Sequence, residues 1–164
     1  MTEQNMPPVS DAVVTLDAPR HIGQLPPVGP VAFGCWRLTG SDDATAASIN
    51  AAVDLGMNLI DTADVYGLDW GGSAFGSCEE ALGRLLTRQP GLRERIVLAT
   101  KGGIIPGQPY DSSSKYLIEA CEASLRRLSP DHVDLYQVHR PDMFTRSEEH
   151  TSELQSLRHL VCRL

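Results

Sequence analysis

The sequence predicts an α/β fold in which parallel strands alternate with helices. Apolar runs rich in β-branched residues and helical stripes of apolar residues follow one another in the order β-α-β-α-β-α-β. Strands that are connected through helices form parallel sheets with right-handed crossovers. Because 41% of the 164 residues are hydrophobic, the chain can bury the core of one domain. Two architectures fit this order, a doubly wound sheet and a (β/α)8 barrel.

A proline-rich arm, residues 1–27, precedes the alternating pattern. Six of the eleven prolines fall within residues 1–30, and proline at that density prevents a regular helix. We therefore expect an arm with at most a short hairpin around Val13–Leu16.

Four strands are predicted in the segment that follows, residues 28–145. They are Val31–Trp36, Met57–Asp61, Ile96–Lys101 and Val133–His139. A doubly wound sheet that binds a dinucleotide would carry the pattern G-x-G-x-x-G directly after its first strand. The segment 34–39 reads GCWRLT and lacks the second and third glycines. This difference favours the barrel.

Three helices are predicted to connect these strands. The first begins at Ser41, before two aspartates, and its apolar face repeats at helical spacing. The residues of that face are Ile49, Ala52, Val53 and Gly56. Ser77 and Glu80 fit a capping box, which predicts a second helix from about Cys78 to Thr87. The third helix ends before Pro130, and its stripe consists of Leu117, Cys121, Leu125 and Leu128.

The last segment, residues 146–164, is expected to be foreign to the protein. It reads RSEEHTSELQSLRHLVCRL and resembles the translation of a short-read sequencing adapter. The alternative is an amphipathic terminal helix, since Leu154, Leu157 and Leu160 could share one face. We exclude the segment from fold reasoning, so the native sequence is expected to stop near Thr145.

Composition and charge exclude several classes of function. A net charge of −7 argues against nucleic-acid binding, which needs a clustered basic face. No apolar window is long enough to cross a membrane, and the N-terminus lacks the pattern of a signal peptide. The four cysteines are widely spaced without metal-ligand spacing, which predicts free thiols, no metal site and a cytoplasmic protein. The oligomeric state stays open.

Polar residues stand at the carboxyl ends of three predicted strands. Asp61, Lys101 and His139 each close an apolar run, and in a parallel α/β barrel these ends form the mouth where the chemistry takes place. Tyr66 follows Asp61 on the loop that leaves the same strand. We therefore expect these four side chains to meet in one cleft.

Three motifs that contain these residues resemble the aldo-keto reductase superfamily. They read GMNLIDTADVYG at 56–67, IVLATKG at 96–102 and VDLYQVHRPD at 133–142. The resemblance implies a (β/α)8 barrel that reduces aldehydes and ketones with NADPH. It also implies that Asp61, Tyr66, Lys101 and His139 form the catalytic tetrad.

Each residue type in this tetrad suits carbonyl reduction. Hydride addition develops negative charge on the carbonyl oxygen, and that oxygen needs a proton donor, the role expected of Tyr66. A free phenol is a poor acid at neutral pH, and a neighbouring ammonium, here Lys101, stabilises the tyrosinate. Asp61 is expected to pair with Lys101. His139 is expected to hydrogen-bond the carbonyl oxygen and orient the substrate.

The resemblance also assigns binding residues around the tetrad. Cofactor contacts are expected from Gly34, Cys35, Trp36 and Asp61. Trp36, just past the first strand, would pack on substrate or nicotinamide, and it is expected to bind the substrate together with Tyr66 and His139. The substrate implied is a small carbonyl compound.

The predicted elements amount to a truncated half barrel, since a complete barrel takes about 250 residues. The resemblance implies that most of the NADPH site lies in the second half of the barrel, so this chain alone is expected to be inactive. The inner face would then meet water at Leu59, Val97, Ala99 and Leu135. Two other functions fit the residues, a redox-sensing regulatory subunit of a membrane channel and a lyase that forms a Schiff base on Lys101.

Overall fold

The computed structural model describes residues 18–68, 71–108, 110–140 and 142. Its elements are β1 (Phe33–Gly34), α1 (Asp42–Asp54), β2 (Leu59–Asp61), α2 (Ser77–Arg88), α3 (Pro90–Arg93), β3 (Val97–Gly102), α4 (Ser114–Leu128) and β4 (Leu135–Val138). The hairpin expected around Val13–Leu16 and the segment 146–164 lie outside the described residues. Within them, Arg20 and Val28 form an antiparallel bridge before the first strand.

The four strands form one parallel sheet in the order β1-β2-β3-β4. Each strand therefore pairs with its neighbour in the chain, as consecutive strands of a (β/α)8 barrel do, and the order never reverses as it does in a doubly wound sheet. The fold is that of a truncated (β/α)8 barrel, as the sequence predicts.

Two of the predicted helix boundaries are confirmed. Ser41 is the N-cap of α1, and its Oγ accepts a hydrogen bond from the backbone N–H of Ala44 at 3.3 Å. Helix α4 ends at Leu128, before Pro130 as predicted, and its C-cap Ser129 has a φ of 67° in the left-handed region. All four residues of the predicted α4 stripe are buried.

The capping box predicted at the start of α2 is wrong. The N-cap is Gly76, which has a φ of 83°, and Ser77 is the first helical residue with no side-chain cap. Glycine adopts this backbone conformation without strain, so the chain enters the helix one residue earlier than the capping pattern suggests. A fourth helix, the single turn α3, begins with Pro90 at its first position and is too short to show a periodic pattern.

The core lies between the sheet and the helices. It is built mainly on Ile49 of α1, Leu82 of α2, Leu98 of β3 and Leu128 of α4, all of which are buried completely. On the opposite, inner face, Val97 and Ala99 are buried, while Leu59 and Leu135 are half-buried. Less of the inner face is exposed than the sequence predicts.

Candidate active site

An ion pair between Lys101 and Asp61 forms the base of the site. Strand β2 pairs in parallel with β3, and this pairing places Asp61 beside Ala99. Ala99 lies two residues before Lys101, so their side chains lie on the same face of the sheet. The Lys101 Nζ lies 2.7 Å from Asp61 Oδ2 and also donates to the backbone carbonyl of Thr62 at 2.6 Å. The side chains are only 13% and 28% exposed, respectively. The ammonium is therefore held in a fixed position, mostly away from water.

Tyr66 stands above this ion pair. The Lys101 Nζ lies 5.0 Å from the centroid of the tyrosine ring. Two backbone hydrogen bonds hold the loop, since the Tyr66 N–H donates to Ala63 O and the Tyr66 carbonyl accepts from the Cys78 N–H. The loop then turns at Gly67, which has a φ of 99°, and a Cβ there would overlap Ser77 Oγ. The loop geometry thus requires glycine directly after the tyrosine.

His139 forms the other side of the site. Its ring packs edge-on against Tyr66 with centroids 5.6 Å apart, and its backbone N–H donates to Gly102 O at 2.8 Å. Burial lowers the pKa of His139, and the positive charges of Lys101 and Arg140 lower it further. The imidazole is therefore neutral at neutral pH, and it can donate one hydrogen bond without carrying a charge.

Tyr66 and His139 line a cleft of about 390 Å³. The cleft is lined by Trp36, Val65, Tyr66, Leu68, Ile104, His139 and Arg140. Trp36 is 42% exposed, so its indole is available at the mouth. The structure thus brings the four expected tetrad residues together and sets Trp36 beside Tyr66 and His139.

Gly34 and Cys35 occupy different environments. Gly34 pairs with Asp61 in the sheet, and a Cβ at Gly34 would meet no atom within 4 Å. The space next to Gly34 is therefore open among the described residues. The Cys35 thiol, in contrast, is fully buried in the helical core, and this burial raises its pKa. The backbone N–H of Cys35 donates to Asp61 O and its carbonyl accepts from the Leu38 N–H, and the cofactor contact expected of Cys35 stays a prediction.

Sequence reasoning does not identify three polar residues near the site. Gln137 donates from Nε2 to Asp61 Oδ1 at 3.3 Å, and Asp64 is buried in the segment that leads to Tyr66. Glu79 is completely buried, where it accepts from Thr100 Oγ1 at 2.5 Å and pairs with Arg127 Nε at 2.7 Å. The partners of Gln137 and Glu79 are far away in the chain. The only sequence signal is that Glu79 lies one helical turn before buried Leu82.

The described residues contain neither a membrane-spanning helix nor a cluster of metal ligands. None of the helices there is both long and apolar enough to cross a bilayer. In the same ranges, His, Cys, Asp and Glu side chains form no group of three or more that could hold a metal ion.

Comparisons with known proteins agree with one another. A model described as the aldo/keto reductase family matches residues 30–160. A 6-dehydroglucose reductase of Novosphingobium aromaticivorans is 50% identical over 125 residues, covering 74% of this chain and 41% of that protein. A probable voltage-gated potassium channel subunit beta of Arabidopsis thaliana is 38% identical over 130 residues, covering 74% and 37%.

A solved structure gives the same result. The holo form of an aldo-keto reductase from Bacillus halodurans matches with a TM-score of 0.71 and 31% identity, covering 86% of this chain and 46% of that one. The chain thus spans less than half the length of these relatives. The family match runs past Thr145 into a segment outside the described residues, and the adapter origin of that segment stays a prediction.

Proposed function

The chain belongs to the aldo/keto reductase family, and we propose that the full-length protein reduces the aldehyde or ketone group of a small substrate with NADPH. One observation carries the proposal. The Lys101 ammonium is held between the Asp61 carboxylate and the ring of Tyr66, and Tyr66 lines an open cleft.

Tyr66 is the proton donor in this proposal. Charge develops on the carbonyl oxygen as the carbon is reduced, and a phenol hydroxyl can deliver the proton that neutralises it. The adjacent ammonium stabilises the phenolate that remains. Asp61 and the Thr62 carbonyl keep the ammonium in place, so the site needs no rearrangement during the reaction.

His139 orients the substrate. A neutral imidazole on the wall of the cleft can donate a hydrogen bond to the carbonyl oxygen. The ring centroids of His139 and Tyr66 are 5.6 Å apart, so both side chains can approach the same oxygen atom. NADPH, when bound, supplies a hydride to the carbonyl carbon. The open space at Gly34, beside Asp61, and the exposed indole of Trp36 are the features of this half that fit a nicotinamide ring.

The ion pair also argues against a lyase that forms a Schiff base. A lysine must lose its proton to attack a carbonyl carbon, whereas the Lys101 Nζ donates to Asp61 and to the Thr62 carbonyl.

A sugar-derived aldehyde is the first substrate to test. The relative from Novosphingobium aromaticivorans that is 50% identical is named for the reduction of 6-dehydroglucose. The cleft combines apolar walls with the Arg140 guanidinium and the His139 imidazole, which are groups that can donate hydrogen bonds to sugar hydroxyls.

The test is NADPH oxidation by the full-length protein in the presence of 6-dehydroglucose and other small aldehydes. We expect oxidation that depends on the carbonyl compound. Tyr66→Phe should lower kcat by roughly 10²–10⁴-fold, the usual contribution of a general acid, with NADPH affinity unchanged. Tyr116→Phe, in α4, serves as the control and should behave as wild type. Near wild-type turnover in Tyr66→Phe would exclude the tyrosine as donor.

A second candidate function is a redox-sensing subunit of a channel. It is favoured by the similarity to the probable potassium channel subunit beta from Arabidopsis thaliana. Such a protein would bind NADPH tightly and turn over negligibly with every aldehyde offered. The same assay, combined with a binding titration of NADPH, therefore separates the two functions.

A further inference from the structure

Gln137 is a polar residue on the inner face of β4. It pairs in register with Lys101 of β3, so the two side chains point to the same side of the sheet. The Gln137 Nε2 donates to Asp61 Oδ1 at 3.3 Å, and Asp61 Oδ2 accepts from Lys101 at 2.7 Å. The Asp61 carboxylate is thus held by a different residue on each of its two oxygens.

The amide orientation follows from the chemistry of this contact. An ionised carboxylate only accepts hydrogen bonds, and an amide offers both a donor and an acceptor. The NH₂ group must face Asp61, because the reversed amide would bring two acceptor oxygens together. Among the described residues, Gln137 is also the only side chain that donates to Asp61 Oδ1.

A carboxylate held by one oxygen has a soft torsion about its Cβ–Cγ bond. A second donor on the other oxygen fixes the plane of the group and so the direction of the bond to Lys101. Because the amide is neutral, it achieves this without changing the net charge beside Tyr66.

We propose that Gln137 is a positioning residue that acts through Asp61 and keeps the Lys101 ammonium aimed at Tyr66. The inference rests on the proposed function, since it gives the Lys101 ammonium a part in carbonyl reduction. Gln137 itself touches neither substrate nor the reacting atoms in this account.

A double-mutant cycle in the full-length protein tests the inference. Gln137→Met keeps the approximate shape and removes the donor. It should lower kcat by roughly tenfold, the lower end of the range expected for one hydrogen bond to a charged group, with KM and NADPH affinity within about twofold of wild type. In an Asp61→Asn background the same change should alter kcat by less than about twofold. An equal loss in both backgrounds would overturn the proposal.

Two further variants guard against a general defect. Tyr136→Phe alters the neighbouring residue, which points to the opposite face of β4, and should leave kcat unchanged. Gln137→Glu keeps the size but places a second acceptor against Asp61, so its kcat should fall at least as far as that of Gln137→Met. A glutamate variant with wild-type kcat would contradict the inference.

A crystal structure of the Gln137→Met protein provides a readout that does not depend on turnover. We expect the Asp61 carboxylate to turn about its Cβ–Cγ bond and its contact with Lys101 to lengthen. An unchanged carboxylate would overturn the proposal even if kcat falls. If the wild-type protein reduces no carbonyl compound, the proposed function fails, and the carboxylate orientation still decides whether Gln137 positions Asp61.

Discussion

The side chain of Asp64 is a buried carboxyl group that the proposed chemistry does not use. The residue is 1% exposed and lies two positions before Tyr66. Neither of its oxygens has a hydrogen-bond partner among the described side chains and backbone groups. Burial, and then the negative charge of Glu79, raise the pKa of Asp64 to about 7, although Arg127 opposes the shift.

This raised pKa makes stability depend on pH. In the unfolded chain an aspartate has a pKa of about 4. Between about pH 4 and pH 7 the folded state keeps a proton that the unfolded state has lost, so the free energy of unfolding falls as pH rises. Below this window both states are protonated, and above it both are ionised, so the contribution of Asp64 no longer changes.

Asp64→Asn should remove this loss of stability. The quantity to compare is the free energy of unfolding of the variant minus that of the wild type. We expect this difference to be larger at pH 8 than at pH 4 by roughly 2–4 kcal/mol. Urea unfolding of the full-length protein at several pH values measures the difference. Asp43→Asn, a change on an exposed side chain, is the control and should not alter the pH dependence. An Asp64→Asn curve parallel to the wild type would refute the role assigned to Asp64.

At the scale of elements, Gly67 and Gly71 provide a matched pair. Both have positive φ, 99° and 82° respectively. A Cβ at Gly67 would overlap Ser77, whereas a Cβ at Gly71 would meet no atom within 4 Å. The two glycines therefore share the backbone strain that alanine would introduce and differ in the space available for its side chain.

Gly67→Ala should accordingly destabilise the full-length protein more than Gly71→Ala. We expect about 1 kcal/mol for Gly71→Ala, from the backbone alone, and roughly 2–4 kcal/mol for Gly67→Ala, where a clash is added. Since Gly67 follows Tyr66, its variant should also lose kcat. Thermal unfolding and steady-state kinetics test both points, and equal effects of the two variants would count against the loop geometry.

The sequence predicts most elements because their signals are local. The stripe that begins at Leu117 indicates α4, and the apolar run that ends before Lys101 indicates β3. The start of α2 is mispredicted because Ser77 and Glu80 fit a local motif while the loop closes through Gly76. Likewise, the tetrad is visible because each member ends a strand or follows one. Gln137 and Glu79 are recognised only from partners more than twenty residues away.

At the scale of the whole molecule, the sheet has two ends that do not meet among the described strands. Strand β1 pairs only with β2, and β4 only with β3. The helices cover the outer face, while the inner face keeps half-buried Leu59 and Leu135. Open strand edges next to apolar surface favour association.

We therefore expect residues 1–145, expressed alone, to associate or to lack a cooperative unfolding transition, and to reduce no carbonyl compound. Their relatives are more than twice as long, and parallel sheets are stable when both faces are covered. Light scattering after size exclusion and a thermal melt provide the measurement. A monomer with a sharp transition and NADPH-dependent turnover would contradict this expectation.

The central claim is that the Lys101 ammonium supports proton donation by Tyr66. The pH–rate profile of Lys101→Met in the full-length protein tests this claim most directly. Removing the charge leaves the phenolate without its stabilising partner. We predict that kcat falls by roughly 10²–10⁴-fold at every pH at which the wild type is active. Lys115→Met, an exposed lysine of α4, should retain the wild-type profile. A Lys101→Met protein with the wild-type rate and profile would contradict the account.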